Sequence, residues 1–454
     1  MGEIAEIVAN QRGFFNTDAT KSIGFRVEML KKLEHAIRDN EALILDALYE
    51  DLSKSKAEGY MTEVAMVYNE IHEALKNVGK WSRPQRVRGT LSTFPAKSYI
   101  HPEPYGVVLI MSPWNYPFDL AIAPLVAAMA AGNCAVLKCS RSSARTSEVI
   151  KQIIDSTFDP HYVCCVEPDI DHDQLLAQRY DYIFFTGGAR VGRTVMRAAS
   201  EHLTPVSLEL GGKCPCIVDE TADIKIAAKR IVWGKLLNAG QTCVSIDYIV
   251  AHRSVKDALI AAMQDEIAHR YPCAATNDSY PKIINERHYR RLLDLIQTEE
   301  DVIGGESNDS DRKIAPAIFP HADFDHEIMK EEIFGPLIPV IEYQDIESVI
   351  GAIKQLEKPL ACYVFTQSDS QANRIIQSLS FGGGCVNDAI MHFTNHHLPF
   401  GGVGSSGIGS YHGKFGFDTF SHKKGIVRNI VKIDVPARYA PFDCAKLHLL
   451  KKIL

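Results

Sequence analysis

The sequence lacks an excess of basic residues, a long apolar run and a signal peptide. Its 454 residues include 49 lysines and arginines against 56 aspartates and glutamates, which gives a formal net charge of −7. Nucleic-acid-binding proteins and anionic-membrane-binding proteins usually carry a basic face, so neither partner is expected. The apolar stretch from Leu120 to Ala131 contains Pro124 and is well short of the roughly 20 residues that a membrane span needs. The N-terminus has neither the basic nor the apolar part of a signal peptide.

The cysteines also lack the spacing of a metal site or a disulfide framework. There are 11 of them, and an odd number scattered along a long chain argues against a set of structural disulfides. The close pairs Cys164/Cys165 and Cys214/Cys216 do not have the two-residue gap of a zinc site. We therefore expect no metal and a cytoplasmic protein.

What is present is an alternation of short apolar runs and helix-length amphipathic stretches. Between residues 107 and 210 the apolar runs are VVLIM, CAVLK, YVCCV, YIFF and VSLEL, at 107–111, 134–138, 162–166, 182–185 and 206–210. This βαβαβ pattern predicts an α/β fold with a parallel sheet covered by helices on both faces. Ligands bind such sheets beyond the carboxyl ends of the strands, and a second α/β region after Gly212 predicts a cleft between two lobes.

The segment FFTGGARVG is a candidate phosphate-binding turn. Gly187 and Gly188 follow a predicted strand, and Val191 lies in the first turn of a predicted helix. Backbone N–H groups at a helix N-terminus attract anions, and glycine lets a phosphate approach them closely. Because the segment is not a full G-x-G-x-x-G, an ordinary glycine turn remains an equal alternative.

Three polar residues could together perform acyl chemistry. Cys243 stands in the polar loop NAGQTCVS, Glu209 ends a predicted strand just before two glycines, and Asn115 follows another strand end. A lone cysteine is more often a small buried apolar residue. A thiol, a carboxylate and an amide donor together are the nucleophile, general base and oxyanion stabiliser that a thioester route needs.

The order of the motifs resembles that of one known family. The motifs are MSPWNYPF, FFTGGARVG, LELGGK, NAGQTC, EEIFGP and LPFGGVGSSGIGSYHGKFGFDTFSH. In this order and approximate spacing they resemble the aldehyde dehydrogenase superfamily, and most closely its class 3 branch, which acts on fatty and aromatic aldehydes. The resemblance runs from about residue 20 to the C-terminus.

The resemblance implies a role for each of the three polar residues. Cys243 matches the nucleophile, Glu209 the base that activates the hydrolytic water, and Asn115 the amide that stabilises the oxyanion together with the backbone N–H of Cys243. The implied reaction is the NAD(P)-dependent oxidation of an aldehyde to a carboxylic acid through a thiohemiacetal and a thioester.

The resemblance also implies the cofactor contacts. Glu332 and Phe334 match residues beside the nicotinamide and its ribose, and Lys138 matches a lysine at the adenosine ribose. Arg141 departs from the family pattern, because an acidic residue is expected there. A carboxylate repels a 2′-phosphate and an arginine attracts it, so we expect NADP to be accepted and preferred over NAD. The alternative is that Arg141 points to solvent and both cofactors are used.

The implied architecture is a Rossmann-like cofactor domain, an α/β catalytic domain and a small β element for oligomerisation. We assign residues 1–86 and 105–210 to the cofactor domain and residues 211–420 to the catalytic domain. Residues 87–104 and 421–440 form the oligomerisation element, which implies a homodimer, and residues 441–454 form a C-terminal tail.

Two alternative functions remain open. In a CoA-acylating dehydrogenase coenzyme A takes the acyl group in place of water, and the presence of Glu209 as a base argues against it. A non-catalytic binding protein on the same fold is disfavoured because both Cys243 and Glu209 are present.

Overall fold

The computed structural model describes residues 3–434 and 436–453. The strands are β1 (Gln85–Val87), β2 (Lys97–Pro104), β3 (Val107–Met111), β4 (Cys134–Lys138), β5 (Val163–Val166), β6 (Tyr182–Thr186), β7 (Val206–Glu209), β8 (Pro215–Val218), β9 (Tyr248–His252), β10 (Ile303–Gly304), β11 (Ser307–Asn308), β12 (Lys313–Ile314), β13 (Ala317–Ala322), β14 (Leu337–Tyr343), β15 (Ala361–Phe365), β16 (Gly383–Val386), β17 (Gly407–Ile408) and β18 (Ser421–Arg428).

Helices cover the sheets and fill most of the first eighty residues. They are α1 (Glu3–Phe15), α2 (Ile23–Asp39), α3 (Glu41–Leu52), α4 (Lys56–Gly59), α5 (Ala65–Trp81), α6 (Asp119–Ala131), α7 (Ala144–Thr157), α8 (His172–Leu176), α9 (Ala189–Ser200), α10 (Ile224–Leu236), α11 (Lys256–Arg270), α12 (Glu286–Ile296), α13 (Ile346–Gln355), α14 (Asp369–Ser378), α15 (Gly413–Thr419) and α16 (Cys444–Ile453).

The first lobe is built on a six-stranded sheet in the order β17-β7-β6-β3-β4-β5. Strands β3 to β7 are parallel, and β17 pairs with β7 in the opposite direction. Every residue of β3, β4 and β6 is buried, as expected for parallel strands with both faces covered. The predicted α/β fold with a parallel, Rossmann-like sheet is confirmed, and each predicted strand is present to within one residue at either end.

Helix α6 explains the longest apolar stretch of the sequence. All of its residues are buried, and it packs on β3 and β4 with α2, α5 and α15 around it. A helix that is apolar on every side belongs in the interior of a large protein. Within the described part of the chain, the helices are all too short or too polar to cross a membrane.

The second lobe carries a seven-stranded sheet in the order β10-β13-β14-β9-β8-β15-β16. Its neighbouring strands are parallel except that β10 runs antiparallel to β13. After this lobe the chain returns to the first sheet, where β17 pairs with β7 and sets Gly407 opposite Glu209.

A third sheet consists of β1, β2 and β18. Strands β2 and β18 pair antiparallel along their whole length, from Ser421 opposite Pro104 to Arg428 opposite Lys97. The two segments assigned from the sequence to a small β element, 87–104 and 421–440, therefore contribute strands that pair with each other. Their regular strands are shorter than the segments, because a helical turn interrupts the first at Leu91–Thr93 and the second leaves the sheet after Arg428.

Candidate active site

A cavity of about 580 Å³ lies at the carboxyl ends of β3, β4, β6 and β7. The second lobe closes its other side with residues that include Cys243, Glu332 and Phe334. Nine of the ten residues proposed from the sequence line this cavity: Asn115, Lys138, Gly187, Gly188, Val191, Glu209, Cys243, Glu332 and Phe334. Arg141 does not line it.

Cys243 lies in a tightly turned loop after α10. Asn238, Ala239 and Gly240 all have positive φ, at 53°, 51° and 76°. A Cβ atom on Gly240 would lie 2.3 Å from the carbonyl oxygen of Gly335, so only glycine fits there. The loop presents a half-buried thiol to the cavity.

The surroundings of the Cys243 thiol disfavour its ionised form. Burial, with the carboxylates of Glu332 and Glu209 nearby, raises its pKa to about 12, although the backbone N–H groups of Cys243 and Val244 oppose the shift. The thiolate is the nucleophilic form of cysteine. The proton must therefore leave the sulfur before the sulfur attacks a carbonyl carbon.

Glu209 is an unpaired carboxyl group at the end of β7. Its side chain is 2% exposed, and neither carboxyl oxygen has a hydrogen-bond partner. Burial raises the pKa of Glu209 well above its ordinary value. A buried polar group without a partner is costly, and here it lines the same cavity as the Cys243 thiol. Such a group is suited to exchange protons with water or with a thiol.

Asn115 lies in the turn between β3 and α6, and its side chain reaches toward the nucleophile loop. Its Nδ2 atom donates to the carbonyl oxygen of Gln241 at 3.0 Å. Its own backbone carbonyl accepts from Nζ of Lys54 and from Nδ2 of Asn238, both at 2.8 Å. The amide is therefore fixed next to the segment that carries Cys243.

One end of the cavity has the features of a dinucleotide site. Gly188 caps α9, and no atom lies within 4 Å of the place where its Cβ would be. There is therefore room beside the N-terminus of α9, and helix N-termini bind anions. Lys138 ends β4 inside the cavity, where burial lowers its pKa. Gly187 lies against Phe185, whose ring atom would be 2.7 Å from a Cβ on this glycine.

Glu332 and Phe334 line the cavity from the second lobe. Burial and the carboxylate of Asp247 raise the pKa of Glu332 to about 8, while a hydrogen bond from the N–H of Gly212 opposes the shift. Phe334 packs its edge on Trp114, with ring centroids 5.3 Å apart.

Arg141 is exposed in the loop that follows β4. Its positive charge helps to lower the pKa of Lys138 and that of His172. It is therefore close to the lysine end of the cavity although it does not line it.

A narrower apolar pocket adjoins the nucleophile. Cys243 and Glu209 line it together with aromatic and aliphatic side chains. These include Tyr116, Ile390, Phe393, Phe400 and Tyr411.

Sequence reasoning missed the residues that hold the cavity walls in place. Lys54 and Glu63 form a fully buried ion pair at 2.6 Å behind Asn115. Lys213 pairs with Asp247 and donates to the carbonyl oxygens of Ile328 and Glu331, in the segment before Glu332. Only Lys213 carried a signal, since it ends the motif LELGGK; the others are distant in sequence from the residues they hold.

The described residues 3–434 and 436–453 contain no group of three side chains suited to hold a metal ion. A model of the aldehyde dehydrogenase family matches residues 3–426 of the chain. The chain belongs to the aldehyde dehydrogenase family. It is therefore an oxidoreductase that converts an aldehyde into a carboxylic acid, and the family uses NAD(P).

The similar proteins come from this same family. The chain is 46% identical to the 4,4'-diaponeurosporen-aldehyde dehydrogenase of Staphylococcus aureus over 97% of each chain. It is 40% identical to the dimeric NADP-preferring aldehyde dehydrogenase of Rattus norvegicus, over 97% of this chain and 98% of the relative. The resemblance to the class 3 branch is confirmed by such relatives, which include family 3 member B1 of Homo sapiens at 40% identity over 99% and 97% of the two chains.

A solved structure agrees along the whole chain. The structure described as the substrate-bound state of Staphylococcus aureus AldH matches with a TM-score of 0.97 and 44% identity, over 100% of this chain and 99% of that one. None of these aldehyde dehydrogenases is described as CoA-acylating or as a non-catalytic binding protein.

Proposed function

We propose that Cys243 is the nucleophile of this aldehyde dehydrogenase, Glu209 its general base and Asn115 its oxyanion donor. The observation that carries the proposal is the unpaired, buried carboxyl group of Glu209 in one cavity with the Cys243 thiol. Burial raises the pKa of both groups, which makes the carboxylate of Glu209 a good proton acceptor beside the thiol.

The reaction then follows from these side chains. Once the thiol proton has passed to solvent, the sulfur of Cys243 attacks the aldehyde carbonyl carbon, and the electron pair of the C=O bond moves to oxygen. Nδ2 of Asn115 and the backbone N–H of Cys243 donate to that oxygen. Removing one such donor typically lowers the rate by about 10²- to 10³-fold. When bound, NAD(P) supplies the acceptor for the hydride that leaves the tetrahedral carbon.

Hydrolysis of the thioester completes the reaction. Glu209 removes a proton from water, the hydroxide oxygen attacks the acyl carbon, and the C–S bond breaks with release of the carboxylic acid. The pKa of Glu209, raised by burial, makes it a stronger base than an exposed glutamate. A base in this position supports water, rather than coenzyme A, as the acyl acceptor.

We propose that the cofactor binds at the end of the cavity that carries Gly187, Gly188 and Lys138. The adenosine ribose would lie at Lys138, the pyrophosphate at Gly187, Gly188 and Val191, and the nicotinamide ribose at Glu332 beside Phe334. An unobstructed helix N-terminus and a buried lysine are the groups that bind an anionic dinucleotide. The exposed Arg141 close to Lys138 supports a preference for NADP, because a guanidinium binds a 2′-phosphate well.

The substrates we propose are apolar aldehydes. The pocket beside Cys243 is walled by Phe393, Phe400 and Tyr411, which favour aliphatic or aromatic chains over charged ones. The Staphylococcus aureus relative is named for 4,4'-diaponeurosporen-aldehyde, and the lining of this pocket suits an apolar aldehyde.

We propose a cytoplasmic homodimer that uses the third sheet as its interface. Residues 87–104 and 421–440 would form this element beside a cofactor domain of residues 1–86 and 105–210, a catalytic domain of residues 211–420 and a tail of residues 441–454. Exposed apolar residues on β18, Ile426 and Val427, support burial against a second copy. Light scattering coupled to gel filtration gives the mass of the particle in solution, and a monomer would contradict this proposal.

A panel of aliphatic and aromatic aldehydes assayed with NAD and NADP tests the proposed function. We expect wild-type enzyme to form carboxylic acid and reduced cofactor in equal amounts. Cys243→Ala should abolish both products while it leaves the fold and the binding of cofactor intact. Normal turnover by Cys243→Ala would refute the assignment of the nucleophile.

A further inference from the structure

A fully buried ion pair holds the turn that carries Asn115 from behind. Lys54 and Glu63 are both 0% exposed, and their Nζ and Oε1 atoms are 2.6 Å apart. Neither residue lines the cavity. Glu63 belongs to a π-helical turn, Tyr60–Val64, between α4 and α5, and such turns are frequent near functional sites.

The Lys54–Glu63 pair forms hydrogen bonds with both ends of the turn that carries Asn115. At the start of the turn, Nζ of Lys54 donates to the backbone carbonyl of Asn115 at 2.8 Å and lies 3.9 Å from the centroid of the Tyr116 ring. At its end, Oε2 of Glu63 accepts from the N–H groups of Phe118 and Asp119, at 2.8 and 3.3 Å. These are the first N–H groups of α6, where a carboxylate is favoured.

The same carbonyl also ties the turn to the nucleophile loop. Nδ2 of Asn238 donates to the Asn115 carbonyl at 2.8 Å and to that of Gln241 at 3.2 Å. Nδ2 of Asn115 donates to the carbonyl of Gln241 at 3.0 Å. The ammonium group of Lys54 therefore shares an acceptor with the loop that ends in Cys243.

A buried ion pair of this kind contributes little net stability, because desolvation of two charges offsets their attraction. Its effect on geometry is larger, since a charged donor and a charged acceptor hold a single arrangement of the turn. Catalysis is sensitive to such arrangement, and displacement of a reacting group by about 1 Å can cost about 10²-fold in rate.

We infer that Lys54 and Glu63 are positioning residues that aim the Asn115 amide at the oxyanion. The inference rests on the proposed role of Asn115 as the oxyanion donor. The pair touches neither substrate nor cofactor and acts only through the turn between β3 and α6.

Two reactions of the Cys243 thiol separate this role from a general structural one. In acylation by p-nitrophenyl acetate the sulfur bonds to the carbonyl carbon, an oxyanion forms, and its collapse expels p-nitrophenolate. In alkylation by iodoacetamide the sulfur displaces iodide from a saturated carbon, and no oxyanion forms. Both reactions use the same nucleophile, so the ratio of the acylation rate to the alkylation rate measures the effect of the oxyanion donors.

The double variant Lys54→Met/Glu63→Gln removes both buried charges together. We expect its acylation rate to fall about 10- to 100-fold while its alkylation rate stays within about twofold of wild type. Lys256→Met/Glu342→Gln is a control with the same substitutions at an ion pair away from the cavity, where a buried Lys256 pairs with the exposed Glu342 at 3.3 Å. The control should leave the ratio unchanged.

Each outcome has one meaning for the inference. A wild-type ratio in the double variant overturns it, and so does an equal fall of both rates, since the pair would then act on the thiol or on the fold. Asn115→Ala separates this result from the proposed function: wild-type acylation by Asn115→Ala refutes the oxyanion donor itself. If Asn115→Ala acylates slowly, adding Lys54→Met/Glu63→Gln to that variant should not lower its acylation rate further.

A conservative variant covers the case in which the double variant does not fold. Lys54→Arg keeps the positive charge and the pairing with Glu63 but cannot reproduce the single short bond to the Asn115 carbonyl. We expect a folded protein with a lowered ratio of acylation to alkylation. A folded Lys54→Arg protein with the wild-type ratio overturns the inference.

Discussion

The carboxylate of Glu332 occupies the space in which Gly211 would otherwise carry a side chain. A Cβ atom on Gly211 would lie 2.4 Å from both carboxylate oxygens. The motifs LELGGK and EEIFGP, more than a hundred residues apart in the sequence, therefore meet at one contact in the cavity.

This contact predicts that Gly211→Ala weakens cofactor binding without unfolding the protein. The glutamate side chain is flexible, so the added methyl group should displace it from the cavity wall. We expect KM for the cofactor to rise several-fold, by roughly the 1 kcal/mol of one hydrogen bond, with little change in Tm. Gly351→Ala is a control, because no atom lies within 4 Å of that position. An unchanged KM in Gly211→Ala would contradict the prediction.

Glu332 also predicts a pH-dependent stability. Its pKa is raised from 4.5 to about 8 in the folded protein, so the folded state holds the proton more tightly than the unfolded state. This contribution favours folding below pH 4.5 and is lost as the pH rises toward 8. The cofactor-free Glu332→Gln variant should therefore gain Tm relative to wild type between pH 5 and pH 8. Thermal unfolding of both proteins across that range measures the difference in Tm. A difference that stays constant with pH would contradict the prediction.

Glu209→Gln should separate the two halves of the reaction. The amide cannot remove a proton from water, so the thioester should form and then persist. We expect one equivalent of reduced cofactor in a rapid burst and a steady-state rate lowered about 10²- to 10⁴-fold. Mass spectrometry of the quenched protein should detect an acyl group on Cys243. Full steady-state turnover by the variant would show that another group activates the water.

Arg141→Glu tests the proposed preference for NADP. A carboxylate near Lys138 should repel a 2′-phosphate and accept the hydroxyl groups of an unphosphorylated ribose. We expect the ratio of kcat/KM for NADP to that for NAD to fall at least about tenfold, which corresponds to 1.4 kcal/mol. Arg374→Glu, which makes the same change of charge at an exposed residue outside the cavity lining, controls for net charge. An unchanged ratio would remove Arg141 from the specificity argument.

Glu70 predicts a loss of stability at low pH. Burial alone would raise its pKa, but hydrogen bonds and charge from His412, His396 and the N–H of Gly413 hold the pKa well below its ordinary value of 4.5. The contribution of Glu70 to the free energy of unfolding is therefore complete above pH 4.5 and is lost as the pH falls further. Glu70→Gln should lower the free energy of unfolding by about 3 kcal/mol at pH 7, with a smaller difference at pH 4. Urea titrations at both pH values measure it.

The sheet of the first lobe could be predicted from the sequence because its strands are buried on both faces. Runs such as VVLIM and CAVLK are apolar throughout, and strands of that kind stand out between amphipathic helices. The cavity residues could be predicted because Asn115, Lys138, Gly187 and Glu209 all follow or end such strands.

The supporting contacts could not be predicted in the same way. Lys54 lies 61 residues from Asn115, whose carbonyl it binds. From the sequence alone, a lysine among helical residues is expected to be exposed to solvent. The direction of Arg141 was equally open, because a loop residue takes its surroundings from the packing of neighbouring segments. Local pattern carries no information on either point.

The return of the chain to the first sheet has a consequence during synthesis. Strand β7, which ends in Glu209, is covered at its free edge only when Gly407 and Ile408 pair with it. A nascent chain that has not yet reached residue 407 therefore exposes unpaired backbone groups along β7, and such an edge invites pairing with other chains. Ribosomes that stall late in this message should release products that aggregate, although almost nine-tenths of the polypeptide has been made.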